Sequence, residues 1–109
     1  MYIDNVKAQM RKGMLEYCIL LLVRDKEMYA SDIMSSLKAS KLIVVEGTLY
    51  PLLTRLKNAD MLAYRWEEST QGPPRKYFSL TEEGHKLLSE LEVSWTEVVE
   101  TVDKIRNLH

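Results

Sequence analysis

Cysteine is nearly absent: Cys18 is the only one among 109 residues, so no internal disulfide can form. It lies within the apolar run Cys18 to Val23, which suits an inert thiol behaving as a small hydrophobe. Long hydrophobic runs are also lacking, and this one falls far short of the ~20 residues a bilayer-spanning helix needs. The N-terminus opens on polar and charged residues, with no small-residue cleavage site after the short apolar run. No secretory signal is therefore expected, and a cytoplasmic protein without membrane association is the natural reading.

Histidine is scarce as well, and neither His85 nor His109 has a metal-ligand partner at a useful spacing. There is no glycine-rich phosphate loop and no nucleophile motif. Carboxylates cluster toward the C-terminal end, where they solvate the outer face of a helix. No catalytic residue, metal or cofactor is expected, and the chain does not read as an enzyme. With 4 glycines and 3 prolines there is no internal linker and no low-complexity segment. The length suits one domain's worth of core.

What is present is an ordinary soluble composition, 46% hydrophobic and 28% charged. The net charge of -1 conceals an asymmetry. Residues 1–80 carry 12 basic and 9 acidic side chains (+3), and residues 81–109 carry 3 and 7 (-4). Such a division permits one surface to meet a polyanion although the whole chain is slightly acidic.

Apolar periodicity predicts a first helix from an Asp4 cap to about Arg24, with Met10, Met14, Leu15, Cys18, Leu21 and Leu22 on one side. Gly13 interrupts it, and close packing against a neighbour is one reason for tolerating the ~1 kcal/mol this costs relative to Ala. Ser31 is expected to cap a short helix over about 32–39, burying Ile33, Met34 and Leu37. A link over 40–44 leads to a third helix ending near 58–60, with Leu49, Leu52, Leu53 and Leu56 at helical spacing. Two short helices so joined read as a helix-turn-helix.

The period then changes. Leu62 to Trp66 alternates, Glu67 to Pro74 is turn-like, and Arg75 to Leu80 alternates again, which predicts a β-hairpin with a long loop. Thr81 caps a final helix, with Glu82 and Glu83 favouring its positive end. Three helices followed by a hairpin is the order of a winged helix, whose third helix would enter a DNA major groove with the hairpin as a wing beside it. The expected fold is thus mainly α with a small β-hairpin: a winged helix-turn-helix over residues 1–80, and a C-terminal dimerisation helix over 81–109. In that last helix Leu88, Leu91, Trp95, Val98, Val102 and Ile105 step by 3, 4, 3, 4, 3, the seam of a coiled coil. The seam is too short to stand alone. An intermolecular seam is the expectation, because the wing and three small helices can close one core; burial against its own domain is the alternative.

The segments RKGMLEYCILLLV, EGTLYPLLTRLKNADML and GPPRKYFSLTEEG resemble, in order and over nearly the whole chain, the PadR family of bacterial transcriptional regulators. The single short C-terminal helix is similar to the compact branch, which dimerises through that helix. Three positions depart from the family pattern: Ala30-Ser31 in place of Gly-Tyr, Val45 in place of a capping Ser or Asn, and Asp60 in place of Gly. The resemblance implies that the third helix starts near Glu46. Pro51 then lies in its second turn, above a Gly47 carbonyl with no side chain to obstruct a bend. Alternatively Thr48 caps a helix beginning at Leu49, and Pro51 falls in the first turn.

In this setting Thr48, Tyr50, Thr54, Arg55 and Lys57 on the third helix are the candidate DNA contacts. Arg suits two-pronged reading of guanine, and Thr, Tyr and Lys suit phosphates. Arg65, Arg75 and Lys76 are the wing's candidates for a flanking phosphate or the minor groove. The partners expected are double-stranded DNA and a second copy of the chain, as a repressor homodimer on a palindromic operator. The resemblance also implies that Trp95 could take a flat, apolar ligand at the dimer centre, with plain packing as the other reading. The competing function is a winged helix used for protein contacts alone, against which the retained basic residues argue.

Overall fold

The computed structural model describes all residues except Ile43, which falls in the expected link, and His109. Four helices and three strands follow one another as α1 (Tyr2–Leu22), β1 (Met28–Tyr29), α2 (Ala30–Ala39), α3 (Glu46–Asn58), β2 (Leu62–Ser69), β3 (Gly72–Leu80) and α4 (Glu82–Arg106). This is the winged-helix order, mainly α with a small antiparallel sheet. Among the described residues, no helix is long and apolar enough to cross a membrane.

The core assembles from one apolar stripe per helix. Leu15, Ile19, Leu20 and Val23 of α1 and its end meet Ile33 and Leu37 of α2 and the four leucines of α3. Leu62, Phe78 and Leu88 close it from the sheet and α4. Of the expected α1 stripe Leu15 is buried, Cys18, Leu21 and Leu22 pack partly on the core, and Met10 is exposed, so the fully buried centre is shifted onto Ile19 and Leu20.

Capping differs from expectation at two helices. Asp4 lies inside the first turn of α1, whose cap position is Met1. The α2 helix starts one residue before Ser31, with Tyr29 as cap, and the Asp32 carboxylate accepts a hydrogen bond from the Tyr29 amide at 3.3 Å. A carboxylate three residues into a helix performs the same service as a capping serine, by engaging an amide that the first turn leaves unpaired.

Helix α3 begins at Glu46, with the amides of Thr48 and Leu49 both donating to the Val45 carbonyl. Pro51 therefore lies inside the helix, and the reading with Thr48 as cap is set aside. Val45 supplies no side-chain cap, as its apolar chain requires. Both α2 and α3 end on a non-glycine residue in the left-handed region, Lys41 (φ 70°) and Asp60 (φ 64°). In each case the next amide reaches back to the third-last turn position: Leu42 to the Leu37 carbonyl at 2.8 Å, Met61 to the Leu56 carbonyl at 2.9 Å. These bonds satisfy otherwise orphaned carbonyls and hold the positive φ.

The sheet order is β1-β3-β2, all antiparallel, with Leu62 opposite Leu80 and Tyr64 opposite Phe78. The hairpin is longer and its loop tighter than expected, since the strands run to Ser69 and from Gly72, leaving only Thr70 and Gln71 between. Pro73 and Pro74 sit within β3. They lie beyond Tyr77 and Phe78, the only β3 residues paired with β1, so the outer edge there carries no ladder for a proline to break. The register with β2 slips between Glu67 and Ser69.

Helix α4 is capped by Thr81, whose Oγ1 accepts from the Gly84 amide at 2.9 Å and donates to the Asp60 and Met61 carbonyls. Glycine at 84 relieves a close approach: a Cβ there would run into the Met61 carbonyl and the Leu80 side chain unless one of them shifted. This cap ties α4 to the end of α3. Farther along, α4 runs antiparallel to α1, with Arg24 pairing Glu92 at 3.6 Å and Tyr17 packing on Trp95 at 6.2 Å between ring centres.

Candidate nucleic-acid interface

At 100° per residue, the buried leucines of α3 occupy one side and leave a broad exposed arc. Tyr50 and Lys57 fall on its border toward the wing, and Thr48 and Arg55 fall on its border toward α1. Gly47, Pro51 and Thr54 lie between. The middle of the exposed arc is therefore low over the first turns, formed by Gly47, the Pro51 ring and Thr54, with Asn58 in the same arc at the helix end and longer side chains on both flanks. Such a profile lets the helix backbone come close to an opposing surface.

The structure joins one border of α3 to the wing. Tyr50, Thr54, Trp66, Arg75, Lys76 and Ser31 all line one groove of about 480 Å³, completed by Tyr29 and Phe78. Both of its strand-borne cations are held by aromatic faces. The Lys76 ammonium lies 4.4 Å from the Tyr64 ring centre and 5.2 Å from that of Trp66; the Arg75 guanidinium lies 5.1 Å from that of Tyr29. Cation–π contacts of this kind orient a charge without neutralising it. Neither Arg75 nor Lys76 has an ion pair among the described residues, so both charges are available to an anion. Lys57 also stands over the Tyr64 ring, at 5.7 Å.

Arg65 departs from the expectation that it meets a phosphate. Its guanidinium is already engaged by two carboxylates, Glu27 at 2.8 Å and Glu67 at 3.2 Å, and it stacks over Tyr77 at 4.7 Å. The hydrogen bond to Glu27 pushes its pKa above the ordinary arginine value. Pairing residues 65 with 77 and 67 with 75 puts Arg65 on the sheet face opposite Tyr64 and Lys76. There Tyr29 and Tyr77 stack at 3.8 Å, and their hydroxyl contact pushes the Tyr77 phenol up to about 12. Arg65, Tyr77, Tyr29 and Arg75 thus form one continuous row bracing β1 against the wing. Arg55 has a weaker restraint, a 3.4 Å pair with Glu16 of α1 at a largely exposed position.

Sequence reasoning missed Tyr29, Ser31 and Trp66 as groove residues. Trp66 was legible as an exposed aromatic of an alternating strand; the two others depend on a two-residue strand, β1, too short to leave a pattern.

The α4 seam divides in two. Leu88 is 3% exposed and belongs to the chain's own core, which corrects its expected place in an interface, and Leu91 packs partly on that core. From Trp95 onward the seam is uncovered: Trp95 is 40% exposed, and Val98, Val102 and Ile105 are exposed to similar or greater extents. Together with Met10, Met14 and Tyr17 of α1, one face of α4 that includes Leu91, Trp95, Val98 and Val102 borders a largely apolar groove of about 640 Å³. Gly13 also lines this groove, and a Cβ there would meet no atom within 4 Å. The expected close neighbour of Gly13 is not found among the described residues of its own chain. Cys18 is partly covered, and burial pushes its thiol pKa up, which suits an unreactive side chain.

Residues 19–90 match the Transcriptional regulator PadR-like family. The chain is 68% identical to a PadR-like transcription factor from Bacteroides fragilis of known X-ray structure, covering 94% of this chain and 99% of that one, with a TM-score of 0.79. A PadR family transcriptional regulator from Eggerthella lenta is 30% identical with a TM-score of 0.87, covering 95% and 91%. A PadR-like transcriptional regulator from Bacillus cereus is 36% identical with a TM-score of 0.78, covering 89% and 95%. With its winged-helix order, its basic groove and this match over most of its length, the chain belongs to the PadR family of transcriptional regulators.

Proposed function

We propose that this DNA-binding regulator is a repressor that acts as a homodimer on a palindromic operator. The observation that carries the DNA-facing part is the groove in which Tyr50 and Thr54 of α3 stand beside the unpaired cations Arg75 and Lys76 of the wing. Helix α3 enters the major groove with its low central arc, Arg55 and Lys57 flank it, and the wing cations hold the adjacent backbone. Arg65 contributes indirectly, by bracing the wing through Glu27.

The dimer reading is supported by the uncovered apolar side chains of two antiparallel helices. Ile3, Val6 and Met10 on α1 and Trp95, Val98 and Val102 on α4 are all exposed. A continuous apolar surface of that kind marks an interaction site. A second copy, with α4 as its dimerisation helix over residues 81–109, covers it symmetrically and sets two α3 helices at a fixed spacing. The α1–α4 groove beside Trp95 is the place for a planar aromatic ligand, which relieves repression only by favouring a dimer geometry that misplaces the α3 helices. Such a regulator works in the cytoplasm, where a bacterial chromosome lies.

Genomic footprinting tests the reading. Two protected half-sites about one helical turn or a small multiple apart are expected. Absence of any protected site would instead favour a winged helix that serves protein contacts alone.

A further inference from the structure

A second cleft lies on the opposite flank of α3, between it and α1, with a volume of about 640 Å³. Its size is within the range of small-molecule sites, roughly 300–1,000 Å³. Arg11 and Lys12 of α1 and Arg55 of α3 contribute three cations to its lining, and no carboxylate belongs to that lining among the described residues. Glu16 reaches Arg55 only from outside the cleft, at 3.4 Å. Between the cations the wall is mainly aliphatic, including Leu15, Val45 and Leu52, with Gln9 and Thr48 as its uncharged polar residues. No aromatic ring lines it among the described residues, in contrast to the groove beside Tyr17 and Trp95. A cleft with low-dielectric walls and charges of one sign concentrates the opposite charge. Its aliphatic walls suit a flexible acyl chain better than a flat ring.

We propose that the α1–α3 cleft binds an aliphatic carboxylate, its tail against Leu15 and Leu52 and its head between Arg11, Lys12 and Arg55. The bound carboxylate competes with DNA for the Arg55 guanidinium, so occupancy lowers DNA affinity. This consequence, unlike the binding itself, rests on α3 being the DNA-reading helix.

The probe is octanoate, with 1-octanol as its uncharged counterpart, titrated by calorimetry. Octanoate is expected to saturate the wild type and Trp95→Ala alike, and 1-octanol to bind about tenfold or more weakly, as befits loss of a charge-assisted contact. Arg11→Gln with Lys12→Gln should weaken octanoate by a similar factor. Ala8→Trp, which fills the cleft from an exposed position on its rim, should abolish binding, and Val45→Trp repeats the block should the first variant fold poorly. Equal affinity for octanoate and 1-octanol, binding that survives both blocks, or binding lost in Trp95→Ala alone would each overturn the site. A wild-type dimer that dissociates in both blocked variants would assign the cleft to contact between copies and overturn it too. Fluorescence anisotropy with a labelled duplex reads the consequence: saturating octanoate should lower affinity in the wild type and leave Ala8→Trp unchanged. Octanoate binding with unaltered DNA affinity would overturn the competition. Octanoate binding by a protein that binds no duplex would overturn the DNA reading and leave the cleft standing.

Discussion

The two halves of α4 carry one apolar pattern with different outcomes. In the first half Leu88 is 3% exposed and part of the chain's own core; in the second half Val98, at the same kind of position, is 53% exposed. The spacing of apolar residues tells which side of a helix seeks cover, and says nothing of whose atoms provide it. What separates the halves is attachment. Thr81 and Gly84 fasten the first turns against Asp60 and Met61, and the pair of Glu92 with Arg24, just past the end of α1, is the last ion-pair anchor of α4 to another element among the described residues. Beyond it α4 extends past the core, and the molecule reaches 59 Å in its long dimension against 22 Å in its short one. The wing repeats the lesson with charge. Arg65 and Lys76 are both basic strand residues, but two carboxylates occupy the first while aromatic rings alone support the second.

Substitutions can break this contrast, beginning with the largest effect. Val98→Asp with Val102→Asp would bury two unpaired charges in the proposed interface, so the dimer should dissociate while the far-ultraviolet circular dichroism of each chain stays native. Leu88→Ala should do the reverse. It should lower folding stability by about 2–5 kcal/mol in denaturant titration, through lost burial and a cavity, without altering how the folded chains associate. Gly84→Ala should cost about 1–3 kcal/mol in the same titration, because its methyl group forces a shift of the Met61 backbone at the α4 cap. In the wing, Lys76→Ala should reduce the salt dependence of duplex binding by about one charge, and Arg65→Ala by clearly less. The smallest effect is expected from the tyrosine pair. Tyr77 titrates at about 12 in the folded chain against its ordinary 10, so its hydroxyl contact with Tyr29 stabilises the fold fully below about pH 10. That contribution is lost as pH rises from 10 toward 12, and Tyr77→Phe should flatten the stability profile measured across that window.

Much of this was legible in the sequence because it is local. The leucine spacing of α3 and the Thr81 cap with its acidic first turn are each written within a few residues. The wing's true length was not, since Gly72, Pro73 and Pro74 ordinarily announce a loop; only the short reach of β1 frees that edge for proline. Nor was the engagement of Arg65, because Glu27 lies 38 residues away along the chain. The division of α4 was hidden for the same reason, as it depends on how far the remaining chain extends alongside the helix.

Sedimentation velocity of the wild-type chain at tens of micromolar tests most directly whether the distal half of α4 is an interface. A species of twice the 12.7 kDa chain mass is predicted. A species at 12.7 kDa would contradict the account, leaving the Trp95–Ile105 surface without the second copy assigned to it.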